Sequence, residues 1–147
     1  MITIQDKARI HGEFHLRVFR RGMLIEEYED HNLIVNGARA AMARLVANDG
    51  SGKPINRIAF GTNGAAPSPA NTVITAPFTK AVAGFSYPAT GQVQINWNLL
   101  IGEANGKAIM EFGLICTDGT LFARKNRTNA IAKDSDISLE GQWIITF

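Results

Sequence analysis

Cysteine is almost absent from this chain. The one thiol, Cys116, rules out an internal disulfide and argues against a cysteine-built metal site. It follows Leu114 and Ile115 on the apolar side of a strand and reads as a small buried hydrophobe, not a nucleophile. Long apolar runs are also missing: none reaches the roughly 18 residues of a membrane span, so no membrane insertion is expected. The opening MITIQDKARIHG has no basic segment followed by an apolar one, so no secretion signal is expected and the chain is read as a cytoplasmic product. Charge of one sign is scarce too. The formal net charge is +2 over 147 residues, and the basic residues gather only at Arg17, Arg20 and Arg21 and again at Arg124, Lys125 and Arg127. A nucleic-acid binder carries a denser stripe with interleaved aromatics, so no nucleic-acid partner is expected.

The signatures of catalysis are equally thin. His11, His15 and His31 are the only histidines. His11 and His15 have a helical metal spacing, but on an alternating strand it sets them about 13 Å apart, so they read as hairpin histidines. There is no G-x-S-x-G elbow for a serine nucleophile. Gly61-Thr-Asn-Gly64 looks like a phosphate cradle, yet neither the lysine nor the opening helix of a P-loop follows. Glu103 and Glu111 could pair for sugar hydrolysis only if the fold joined them. Glu111 is read instead as a structural carboxylate at the start of a hairpin, paired to Arg124 or to backbone N–H groups. No enzyme activity, cofactor or metal is expected.

What is present is period-two alternation. Val93, Ile95, Trp97 and Leu99 alternate with Gln92, Gln94, Asn96 and Asn98, which puts the apolar four on one face of a strand. Leu114-Ile-Cys116 and Leu121-Phe-Ala123 flank Asp118-Gly119, the strongest short hairpin signal, and predict a two-residue turn with positive φ at both positions. That register sets Cys116 against Leu121, Leu114 against Ala123 and Gly113 against Arg124, with Glu111 diagonal to Arg124. Trp97 and Trp143 lie on apolar faces and are expected in the core, not as sugar-stacking platforms.

Taken in order, Phe14 to Phe19 and Met23 to Tyr28 form a hairpin around Arg20-Arg21-Gly22, with Glu26, Glu27, Glu29 and Asp30 across from Arg17, Arg20 and Arg21. Asn36 is expected to cap an alanine-rich helix over about residues 37–48. Ile55 to Phe60 and Phe78 to Tyr87 read as strands, Gly61 to Ala76 as a long surface loop, and Asn126 to Ser135 as another loop. Leu139, Gly141, Trp143, Ile145 and Phe147 alternate along a final strand. The expectation is a mostly β protein: an antiparallel β-sandwich-like domain over residues 12–147 with one helix, preceded by a possible flexible arm over residues 1–11.

The order of short motifs carries a resemblance. Asn32-Leu-Ile-Val-Asn36-Gly37 enters the small helix, and Ile55-Asn-Arg-Ile-Ala-Phe-Gly-Thr-Asn63 precedes the Pro/Ala loop. Ala104-Asn-Gly, Glu111-Phe-Gly-Leu114, Asp118-Gly-Thr-Leu-Phe-Ala-Arg124 and Trp143-Ile-Ile-Thr-Phe147 follow. Over about residues 30–147 this resembles small structural proteins of tailed bacteriophages and prophages, in the tail-fibre, tail-collar and baseplate-associated group. The resemblance implies a non-enzymatic virion component, tail- or baseplate-associated or a fibre adaptor, with head or collar decoration as the alternative. It implies other virion proteins and copies of the same chain as partners, with a host-surface glycan left open. No long fibre extension or coiled-coil repeat is present, so a complete receptor-binding fibre is not expected. The expected assembly contacts are Ile2, Ile4 and Ile10 in the arm and Pro67 and Pro69 in the long loop. A stand-alone carbohydrate-binding β-sandwich is the competing class.

Overall fold

The computed structural model describes residues 10–147, so Ile2 and Ile4 lie outside the described residues. The elements run β1 (His11–Arg20), β2 (Met23–Ile34), α1 (Asn36–Val46), β3 (Ile55–Gly61), β4 (Phe78–Ala81), β5 (Gly84–Ser86), β6 (Gln92–Leu99), β7 (Ala108–Cys116), β8 (Leu121–Ala132) and β9 (Ile137–Thr146). They make one antiparallel nine-stranded sheet in the order β4-β3-β7-β8-β2-β1-β9-β6-β5. The protein is thus mostly β with one helix, as its alternation predicts.

The sheet curls over on itself. In one half, Phe14, Leu16 and Val18 of β1, Ile95, Trp97 and Leu99 of β6 and Trp143 and Ile145 of β9 turn inward. In the other half, Ile58 and Phe60 of β3, Phe112 and Leu114 of β7 and Phe122 of β8 turn to meet them. Rings interlock across the gap: Phe14 lies 4.7 Å from Phe112, and Trp97 lies 5.6 Å from Phe60 and 5.7 Å from Phe112. Strand alternation gives each half one apolar face, and burying those faces against each other makes the core.

Two corners join the halves. β2 pairs with β1 along its length but with β8 only at Leu33↔Arg124 and Ile34↔Ala123. At the other corner, what reads in sequence as one strand from Phe78 to Tyr87 is two. β4 adds to β3 and β5 adds to β6, at opposite edges of the sheet. The chain crosses between them at Val82 and Ala83, whose N–H groups donate to Asn56 O at 3.0 Å and Asn96 O at 2.7 Å. A strand cannot serve two edges without a break, and Val82-Ala83 provides it.

Other expectations shift in detail. β1 begins at His11, opposite Thr146, and Ile10 packs against the core, so the domain starts before the boundary expected after His11. β8 runs on to Ala132 where a loop was expected, because Ala108 and Ile109 of β7 pair with Ala132 and Ile131. The helix cap is Val35, with no side-chain cap bond; Asn36 is already helical, and its N–H donates to Pro69 O at 2.9 Å. A carbonyl distant in sequence thus replaces the expected side-chain cap for an orphan N–H.

The Asp118-Gly119 hairpin is present with a different turn. Gly119 alone is left-handed, at φ 92. Its N–H donates to Cys116 O and the Cys116 N–H donates to Thr120 O, each at 2.9 Å. This is a three-residue loop with a bulge at glycine. The bulge shifts the register by one and sets Ile115, not Cys116, against Leu121; a second irregularity, between Leu114 and Ile115, restores Leu114↔Ala123 and Gly113↔Arg124. No atom lies within 4 Å of a Cβ built on Gly119, so only backbone strain opposes a side chain there. Gly119→Val should cost about 1–3 kcal/mol, read as a lowered midpoint in chemical denaturation.

The acidic residues of β2 do not form ion pairs with the arginines of β1; Glu29 instead meets His15 at 3.1 Å. Arg17 reaches Glu140 at 2.9 Å and Arg20 reaches Asp136 at 3.6 Å, both across to β9 or the turn before it. Glu26 and Asp30 share a face with Val18 and Phe14. They turn inward toward β8, where Arg127 and Lys125 meet them at 2.7 Å and 2.6 Å. These pairs span the gap where the β2–β8 ladder stops. The Lys125 ammonium, then the Tyr28 hydroxyl and the His31 N–H, hold the Asp30 carboxyl down from 3.8 to about 2. A carboxyl depressed in the folded state stabilises above its unfolded pKa and ceases to do so as pH falls through the folded one. Asp30→Asn should therefore be less stable than the wild type at neutral pH. The difference should close as pH falls from about 4 to about 2, as followed by urea titrations along that series.

Candidate functional site

The residues after Gly61 lack periodicity because they form no strand, yet they are tightly held. The loop from 62 to 77 lies across the outer face of β3, β7 and β8, and one buried ion pair fastens it there. Gly61 pairs with Glu111, which itself pairs with Asn126, and Arg124 stands opposite Gly113. Alternation therefore puts Glu111 and Arg124 on the outward face as diagonal neighbours. Arg124 Nε donates to Glu111 Oε2 at 2.7 Å, and the two side chains are 2% and 0% exposed.

Both partners spend their remaining valence on the loop. Glu111 Oε1 accepts from the N–H groups of Thr75 at 2.7 Å and Asn63 at 3.2 Å. Arg124 donates to Asn63 O at 2.7 Å, Ala65 O at 2.9 Å and Asn71 Oδ1 at 3.4 Å. Asn126 Nδ2 adds a bond to Gly64 O at 3.0 Å. The carboxylate thus binds loop donors and the guanidinium binds loop acceptors, as the valence of each requires. Desolvating two charges offsets most of their attraction, so the pair adds little net stability; what it fixes is the position of the loop.

Close approach needs small residues beneath the loop. A Cβ on Gly61 would lie 2.4 Å from Ile74 Cγ2 and 2.5 Å from Glu111 Oε1, and one on Gly113 would lie 2.6 Å from Ile74 Cγ1. Ile74 is the loop's apolar anchor, buried with Val35, Ala59 and Leu121 in a second small core. Within the loop, Asn63 Oδ1 accepts from Ala65 N and Asn71 Oδ1 from Ser68 N, at 3.0 Å and 2.8 Å. Such side-chain turns hold irregular backbone in one shape. The outward surface is Ala65, Ala66, Ser68, Pro69, Ala70, Thr72 and Val73, with Pro67 half-buried.

The other expected site residues fall elsewhere. Trp97 and Trp143 are 2% and 0% exposed in the core. Glu103 bonds Lys80 at 2.7 Å and is not joined to Glu111. His15 faces Glu29 at 3.1 Å and Glu13 at 3.6 Å on the outside of the β1–β2 hairpin. Burial raises the Cys116 thiol to about 11, far from a reactive thiolate. Among the described residues no group of three or more metal-ligating side chains assembles, and no helix is long and apolar enough to cross a membrane.

Alternation places the Glu111–Arg124 diagonal, but not the loop that both side chains grip. The overlooked signals are the glycines at 61 and 113, and the Val73-Ile74 pair among small and polar residues, of which Ile74 is the buried one. Comparison with models of known protein families, with curated proteins and with solved structures finds no match to this chain.

Proposed function

We propose that this chain is a non-enzymatic structural subunit of a tailed-bacteriophage particle, tail- or baseplate-associated or a fibre adaptor, that works by protein–protein assembly. The observation that carries the reading is where the phage-like motifs meet. Asn36, Gly61-Thr-Asn63, Glu111-Phe-Gly113 and the end of Asp118–Arg124 all converge beneath the long loop and hold it to the sheet. A protein that spends a buried ion pair on fixing the backbone of an exposed loop has a surface to present, and long loops are where binding concentrates. The partners are other virion proteins and copies of the chain, in the virion, and residues 1–9, which include Ile2 and Ile4, are a second contact.

Pro69 and Val73 offer exposed side chains on that surface. Pro69→Asp with Val73→Asp should leave the fold intact and lower incorporation into particles severalfold, as measured by quantitative mass spectrometry of purified particles. A chain lacking residues 1–9 should show the same defect. Normal incorporation of the loop variant would remove the loop from the account. The carbohydrate-binding alternative draws on Phe85 and Tyr87, which are 49% and 78% exposed. They border an apolar groove, however, whose one charged lining residue is Lys53, and a sugar needs convergent polar groups as well.

A further inference from the structure

We infer that residues 1–9 close the apolar groove of their own chain, with Ile2 and Ile4 seated between α1 and β5. The inference concerns the free chain and holds whether or not the chain enters a particle.

The groove is the open end of the curled sheet. It encloses about 410 Å³ beneath α1, and Met42, Leu45, Phe85, Tyr87, Val93 and Phe147 are among its lining. That volume suits a site that encloses apolar groups. Phe85, Tyr87 and Phe147 are exposed there. Large apolar side chains gathered in one exposed recess mark a surface that something covers.

What covers it follows from where the described chain starts. Gly12 and Phe14 share the inward face of β1 with their partners Ile145 and Trp143 on β9, and Val93 of β6 stands beside Ile145. One step beyond the His11↔Thr146 pair, Ile10 comes beside Phe147 on the rim of the groove, and it packs against the core. Residues 1–9 therefore enter at the rim. From β1 the groove extends across β9 and β6 to β5, three strand spacings or about 15 Å. Ile4 stands six residues before Ile10, about 20 Å of extended chain, so both isoleucines reach.

The residues of the segment fit in kind. Ile2, Ile4, Asp6 and Ala8 have the parity of Ile10 and of the inward face, whereas Thr3, Gln5, Lys7 and Arg9 have the other. The two isoleucines thus turn to the groove and the two cations to solvent. Asp6 is the one charge on the groove side, as Lys53 is the one charge in the groove's lining. Lys53 already donates to Gly50 O at 2.7 Å, so an exposed pair with Asp6 adds little and the isoleucines carry the contact. The other flank of β1 offers no such place. There the Leu33↔Arg124 and Ile34↔Ala123 pairs close the sheet, and the cleft beyond them is lined by Glu26, Asp30, Lys125 and Arg127, already in ion pairs.

Tethering decides between this groove and that of another copy. A segment rooted at the rim meets its own groove at an effective concentration on the order of millimolar, well above that of separate chains in dilute solution. In an assembly, the same groove of a neighbouring copy offers the segment the same contacts, which is how residues 1–9 serve both states.

The test places one cysteine in the segment and one in the groove of the full-length protein, Ile4→Cys with Tyr87→Cys. Cys116 is buried and stays out of the reaction. The control pairs Ile4→Cys with His31→Cys, an exposed position opposite Glu13 and so close to the root of the segment, but on the outer face. Under copper phenanthroline at low protein concentration, the link within one chain should form at least about tenfold faster to position 87 than to position 31. Non-reducing gels and mass spectrometry separate links within a chain from links between chains. Near-ultraviolet circular dichroism checks folding, and Leu45→Cys replaces Tyr87→Cys if that variant misfolds. In a second measurement without cysteines, Ile2→Asp combined with Ile4→Asp should leave the dichroism unchanged and raise the fluorescence of bound anilinonaphthalene sulfonate severalfold, because the groove is uncovered. Equal rates for the two cysteine pairs, links formed chiefly between chains, or dye binding unchanged by the isoleucine substitutions would each overturn the inference.

Discussion

Arg124→Met should destabilise the folded protein by about 3–5 kcal/mol, because it leaves the Glu111 carboxylate buried with no cation beside it. The loss should not stop at the ion pair. Arg124 is also the donor for Asn63 O and Ala65 O, so its removal takes away the bonds that hold those loop carbonyls to the sheet. The loop from 62 to 77 should therefore lift. Amide hydrogen exchange at Asn63 and Thr75, whose N–H groups bond Glu111, should speed up far more than exchange in β6 and β9. Glu111→Gln combined with Arg124→Met removes both charges together and should regain part of the lost stability, since no unpaired ion remains. Equal destabilisation by the single and double variants would show that the cost lies in packing and not in the buried charge.

Trp97→Ala and Trp143→Ala should each cost about 3–5 kcal/mol, the range for truncating a fully enclosed aromatic. Trp143 sits edge-on to Phe14 at 5.0 Å, and Trp97 touches rings from both halves of the sheet. Trp97 also covers Gly141, where a Cβ would lie 2.4 Å from Trp97 Cζ2 and 2.1 Å from His15 O. The indole fills the space that the missing side chain leaves, so removing it opens a cavity that β9 cannot close. Acrylamide should quench tryptophan emission weakly in the folded protein and strongly after unfolding. Strong quenching of the native state would place an indole at the surface and reverse the assignment.

Period-two alternation made the strands and the core legible, because one face of each strand is buried and the other is not. It also placed Glu111 beside Arg124, although the actual turn shifts the register by one and only a second irregularity, between Leu114 and Ile115, restores it. It failed where a fact depends on contacts distant in sequence. The break between β4 and β5 reflects two sheet edges competing for one segment, and Asn36 lost its capping role to the Pro69 carbonyl. Glu26 and Asp30 of β2 passed over β1 to reach β8, as only the corner of the folded sheet could reveal. The bulge at Gly119 shows a further limit: Asp-Gly announces a hairpin but suits two turn geometries, and they differ by one residue of register.

The central claim is that this chain is a subunit of an assembled phage particle. Quantitative mass spectrometry of purified particles, washed in high salt to strip loosely held protein, tests it most directly. The account predicts the chain in those particles, at a fixed copy number relative to their other structural proteins. Particles that are complete and infectious without it would contradict the account.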